Sequence, residues 1–202
     1  LLMEKIILSK MKEFRVSTAR FANVAYSNGS LLDGFVHRFK KKQPLACPID
    51  IKRFFVSAEQ SGQICMLASF LGESGNIFFP KLDFHKDQVF FKDIALDYIE
   101  EKGFDPFIVN SEIEAKEFKI SEHSKKYPIY FFKTDTSGEK PYEEFYTENE
   151  DYNMDEYHSL GYLRGEEEEI SLEEVEDDFE KVFNKLGSNK SDIIDVLTKY
   201  IP

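Results

Sequence analysis

The side chains with the widest chemical repertoire are two cysteines and four histidines. Cys47 and Cys65 stand 18 residues apart, form no CxxC and share no metal-ligand spacing, so both read as reduced core thiols. His37, His85, His123 and His158 are scattered and make neither HxxxH nor HExxH, which argues against a zinc site. No GxGxxG or GxxxxGK[ST] loop is present to cradle a dinucleotide or a triphosphate, and no GxSxG elbow presents a nucleophilic serine. No self-contained catalytic constellation can be read from local spacing. Whatever chemistry the chain carries must be assembled from residues far apart in sequence, brought together by the elements that hold them.

Leu1 to Met11 reads as a helix already under way, with Leu2, Ile6 and Ile7 at helical spacing and no N-cap before them. Residue 1 is Leu, and the chain reads as a piece of something longer. Arg15–Ala25 predicts a buried strand, broken by Ser27-Asn28-Gly29. Ser30 caps a helix with Leu31, Leu32, Phe35, Val36 and Phe39 on one face, and Lys40–Lys42 complement its C-terminal dipole. Arg53–Val56 is a short strand. Ser57-x-x-Gln60 is a capping box for a helix bearing Ile64, Leu67, Ala68 and Leu71. Strands are expected at 77–79, 107–109, 129–132 and 143–147, and helices at 91–102, after Ser111, at 171–186 and from Ser191. The helix after Ser171 should turn Leu172, Val175, Phe179, Val182, Phe183 and Leu186 inward. Strands alternating with helices predict an α/β chain.

Composition bounds the function. An apolar share of 42%, with 20 Phe and 10 Tyr, suffices for a packed core and excludes wholesale disorder. A length of 202 residues suits one domain or two small ones. A net charge of −12 argues against nucleic acid as a partner. That charge is uneven: residues 142–202 hold 19 acidic and 5 basic side chains, while residues 1–141 are near neutral. No apolar run approaches a membrane span and no signal-peptide pattern opens the chain, so a cytoplasmic protein without membrane contact is expected.

Four segments carry a resemblance. Arg20-Phe21-Ala22-Asn23-Val24 with Ser27-Asn28-Gly29-Ser30-Leu31, Asp50–Val56, Ile77–Lys81, and Gly138-Glu139-Lys140 followed by Glu143 and Glu144 occur in that order. Together they resemble the extended short-chain dehydrogenase/reductases, nearest the UDP-N-acetylglucosamine 4,6-dehydratases of surface polysaccharide biosynthesis. The resemblance implies the last strands and helices of a Rossmann-like parallel sheet plus a small α/β substrate lobe. It implies NAD(P) in the intact enzyme, none held by this chain alone, a UDP-sugar substrate and a homo-oligomer. Substrate contacts would come from Asn23, Ser30, Leu31, Arg53 and Glu139. Val24, Ala25, Tyr26, Ser27 and Asn28 would run beside the nicotinamide. An arginine can hold a pyrophosphate in a bidentate fork, an asparagine can donate and accept, and a helix N-terminus offers free N–H groups. Each residue also has a plainer reading: Asn23 as a turn residue, Ser30 as a helix cap, Arg53 in a strand-edge ion pair, Glu139 as a solvated charge. Thr136 and Ser137 replace the family's Arg and Pro before GEK.

The family's Tyr-x-x-x-Lys pair would precede Arg20, where this chain has none. Tyr98 and Lys102 share that spacing but sit on a late helix, which makes them structural. Three regions are expected: residues 1–82 as final elements of the cofactor sheet, with a substrate-lobe helix at about 29–43; 83–165 as an α/β substrate lobe; 166–202 as an acidic helical extension. The expected function is the substrate-binding portion of a nucleotide-sugar 4,6-dehydratase, inactive alone and part of a chain of about 350 residues. A 5-epimerase activity could accompany it in the parent lyase. The alternative is a non-catalytic acidic module that docks a protein through residues 166–202.

Overall fold

The computed structural model describes residues 2–121, 125–134, 143–147 and 149–201. It is a mixed α/β structure with parallel strand pairs, consistent with a Rossmann-like fold. The chain divides into two units, residues 1–20, 63–81 and 146–202 in one, and 21–62 and 82–145 in the other.

The first unit holds α1 (Leu2–Leu8), β1 (Thr18–Ala19), β6 (Asn76–Pro80), β10 (Tyr152–Asn153), β11 (Leu160–Arg164), α6 (Leu172–Asn184), α7 (Lys190–Tyr200) and most of α3 (Ala58–Leu71). Its sheet runs β1-β6-β11-β10, with β1 parallel to β6 and the remaining pairs antiparallel. All five residues of β6 are buried, as its run of apolar side chains requires of a strand covered on both faces. Ile64 and Ala68 of α3 pack on Phe78, Leu160 and Tyr162. Gly161 lies opposite Phe79, whose ring stands 2.6 Å from where a Cβ would be, so only glycine fits there.

The second unit holds β2 (Asn23–Val24), α2 (Leu31–Lys40), β3 (Leu45–Pro48), β4 (Lys52–Arg53), β5 (Phe55–Val56), β7 (Val89–Phe90), α4 (Phe91–Glu101), β8 (Asp105–Val109), α5 (Glu112–Glu117) and β9 (Lys126–Phe132). Its parallel sheet runs β3-β9-β8. Leu32 and Phe35 of α2, Ala95, Tyr98 and Ile99 of α4, and Leu45, Cys47, Tyr127 and Ile129 form its core. Two small ladders complete it, β2–β5 parallel and β4–β7 antiparallel.

Several expectations need correction. The strand at 15–25 is two short strands in different sheets: the Arg20 N–H makes a last bond to the Phe78 carbonyl of β6 at 2.7 Å, and from Asn23 the chain pairs with β5 instead. The Arg20 guanidinium meets Glu4 at 2.6 Å and Glu150 at 2.8 Å. The strand at 53–56 is likewise interrupted at Phe54. Residues 143–147 form no strand, and the last strands are β10 and β11 instead. Cys65 is exposed on α3, so only Cys47 is a core thiol. On α6, Val175 and Val182 are buried, whereas Leu172 and Phe183 are exposed, as is Leu186 beyond the helix end. The apolar seam is therefore narrower than the sequence face. On α3, Leu67 and Leu71 are exposed while Ile64 and Ala68 are buried. The acidic run also has partners: Glu167 pairs with Lys12 at 2.7 Å and Glu168 with Lys5 at 3.3 Å.

Candidate functional site

The chemistry-bearing residues of the second unit gather around one carboxylate. The β2–β5 ladder sets Asn23 beside Phe55, and the Asn23 backbone N–H donates to the Phe54 carbonyl at 3.2 Å. Asn23 therefore opens β2 instead of closing a strand. Its side-chain amide donates to the same carbonyl at 3.3 Å and to Glu143 Oε1 at 2.7 Å. The other oxygen of Glu143 accepts the Phe54 backbone N–H at 3.3 Å. Arg53, at the end of β4, places Nε 3.8 Å from Glu143 Oε1 and donates through Nη1 to the Lys52 carbonyl at 2.7 Å. At that separation the two charges form an ion pair without the geometry of a bidentate fork. Phe54 and Phe145 stack with ring centres 5.3 Å apart, which holds residues 143–145 over the ladder. Gln88 donates to the Glu143 carbonyl at 3.4 Å, and its own Oε1 is buried with no hydrogen-bond partner among the described residues.

The chain leaves β2 through a turn that carries the other expected residues. Ala25 donates to the Val56 carbonyl at 2.9 Å and Ser27 to the Val24 carbonyl at 3.1 Å. Tyr26 adopts φ +57°, and Gly29 follows at φ +78°. Ser30 Oγ accepts the Asp33 N–H at 3.2 Å, so it is the helix cap. Asp33 reaches back to the Gly29 N–H at 3.1 Å, one residue before the cap. Leu31 is partly buried against the core of this unit, and Asn28 is exposed.

Asn23 and Arg53 thus meet, and Val24–Leu31 lead directly from them. Glu139 lies outside the described residues. Glu143 and Gln88 are missing from the expected set. Glu143 stood in the sequence as an acidic residue after GEK, and nothing there marked it as the hub. Tyr98 lies in the core, its hydroxyl pKa pushed up by burial and then by Tyr26, the wrong direction for a proton acceptor. The Lys102 ammonium sits 5.3 Å over its ring, a packing contact.

A family described as "Polysaccharide biosynthesis protein" matches residues 1–163. A Methanocaldococcus jannaschii protein described as "Uncharacterized membrane protein MJ1061" is 29% identical over 149 residues, covering 71% of this chain and 38% of that protein. The X-ray structure of Pen from Bacillus thuringiensis superposes with a TM-score of 0.60 at 19% identity, covering 90% of this chain and 54% of that one. This chain therefore spans well under two thirds of either. Among the described residues no helix is long and apolar enough to cross a membrane.

Proposed function

Because the chain belongs to the polysaccharide biosynthesis protein family, we propose that it is the sugar-nucleotide-binding portion of an NAD(P)-dependent nucleotide-sugar 4,6-dehydratase acting in surface polysaccharide synthesis. One observation carries this reading: Asn23, Arg53 and Glu143, drawn from three distant segments, converge on one spot in the second unit. An arginine already oriented by a carboxylate is preorganised for a pyrophosphate. Asn23 offers an amide oxygen and Glu143 its carboxylate to sugar hydroxyls.

A nicotinamide cofactor would supply the hydride transfer that makes dehydration possible. Residues 24–28 fit the flank of such a ring, since they form a turn directly after β2. They do not fit its pyrophosphate, because the turn holds no glycine-rich loop. Residues 1–19 contain no tyrosine, so the Tyr and Lys of the resembled family would have to come from outside this sequence. On this reading the 202-residue chain binds substrate, orients it and is inactive alone, and the intact enzyme is a homo-oligomer.

Calorimetry with UDP-N-acetylglucosamine tests the proposal. Binding should weaken at least tenfold, about 1.4 kcal/mol, on Arg53→Ala. Absence of binding by the unaltered chain overturns it, as does turnover of the sugar by the chain alone.

A further inference from the structure

A second concave site lies in the same unit, built from other residues. The C-terminal end of α2, the start of β3, the outer part of β9 and α5 enclose an open groove of about 750 Å³, within the size range of small-molecule sites. Arg38, Lys42 and Lys116 line it, with Phe118, Tyr130 and Phe132. Among the described residues, Glu112 is the one carboxylate that lines it. In a chain of net charge −12, three cations around a single groove stand against the overall field.

Arg38 donates to the Pro44 carbonyl at 3.3 Å. Lys116 pairs with Glu112 at 2.6 Å, with both side chains largely exposed. Lys42 follows the cap of α2 at φ +51°, the left-handed position where helices favour glycine. A lysine there gives up backbone comfort that glycine would keep, and strain of this kind concentrates where the side chain is used. The aromatic part complements the charge: Tyr130 and Phe132, alternate residues of β9, share a face with ring centres 6.2 Å apart, and Phe132 is exposed.

Cations beside an exposed aromatic wall match a ligand with phosphate at one end and a flat ring at the other. We infer that this groove binds a nucleoside phosphate, with the ring on the Tyr130–Phe132 face and the phosphates between Arg38, Lys42 and Lys116. This inference does not rest on the sugar-nucleotide reading, whose residues it does not share.

The probe is the fluorescent nucleotide mant-ADP, titrated into the 202-residue chain. Saturable binding should weaken five- to tenfold in Lys42→Gly and in Lys116→Gln. Lys42→Gly should melt no lower than the unaltered chain, because glycine suits φ +51°. Arg53 is itself proposed to take a diphosphate, so the titration is repeated in the Arg53→Ala background, where saturable binding should persist and still weaken in the two lysine variants. Failure of the Arg53 site and failure of this site are thereby told apart. Unlabelled ADP should displace the probe at concentrations at least tenfold lower than inorganic pyrophosphate. No saturable binding at millimolar probe, loss of binding in Arg53→Ala, unchanged affinity in both lysine variants, or equal displacement by pyrophosphate would each overturn the inference.

Discussion

Glu143 organises the candidate site because one carboxylate can accept several donors at once. It takes the Asn23 amide and the Phe54 N–H and stands beside Arg53. Glu143→Ala strands those groups in a partly buried place, and should cost about 1–3 kcal/mol of unfolding free energy, read from the shift of the denaturant midpoint. Glu143→Gln keeps an acceptor for Asn23 and should cost less; equal losses would deny the charge any part. The two thiols differ as sharply. Burial pushes the Cys47 thiol up to about 12, whereas Cys65 is exposed. Ellman's reagent should therefore find one fast thiol per native chain, lost in Cys65→Ser and retained in Cys47→Ser.

At the level of elements, Asp178 ties α6 to α7. Asp178 accepts from Lys199 Nζ at 2.7 Å, from the Tyr200 hydroxyl at 2.8 Å and from Lys181 at 3.1 Å. The Lys199 contact foremost, then those to Tyr200 and Lys181, holds its carboxyl well below the ordinary 3.8. A carboxyl lowered in the folded state stabilises fully above its unfolded pKa, and that contribution fades as pH falls below about 3.8. The melting temperature followed from pH 7 to pH 2 should therefore fall less steeply in Asp178→Asn than in the parent. An identical slope would show that the hairpin does not depend on this charge. The caps at Ser30, Ser57, Ser111 and Ser171 were legible in the sequence because each is a local bargain between a hydroxyl and an N–H three residues on. The β10–β11 hairpin was not, since Gly161 and the charges around it give no alternation, and its burial exists only once Phe79 lies opposite. The same holds for the site. Asn23 and Arg53 sit in recognisable strands, while Glu143 acquires its role through the Phe54–Phe145 stack, a contact between distant segments.

Over the whole molecule, the first unit leaves apolar surface open. β1 is an edge strand, and Met66 and Phe70, one turn apart on α3, are 60% and 75% exposed. Such edges and patches favour association. Sedimentation at tens of micromolar should show self-association that Phe70→Glu reduces, and a clean monomer of the unaltered chain would refute this. The interleaving of the units also bears on synthesis. Residues 21–62 and 82–145 complete the second unit, but the first waits for residues 146–202. A nascent chain that has emerged as far as Phe145 can close its β3-β9-β8 sheet while β6 still lacks β11, its antiparallel neighbour. Until β11 emerges, the most buried strand of the first unit thus stands open on one side, and a ribosome paused there exposes Phe78 and Phe79 to whatever chaperone or misfolded neighbour arrives first.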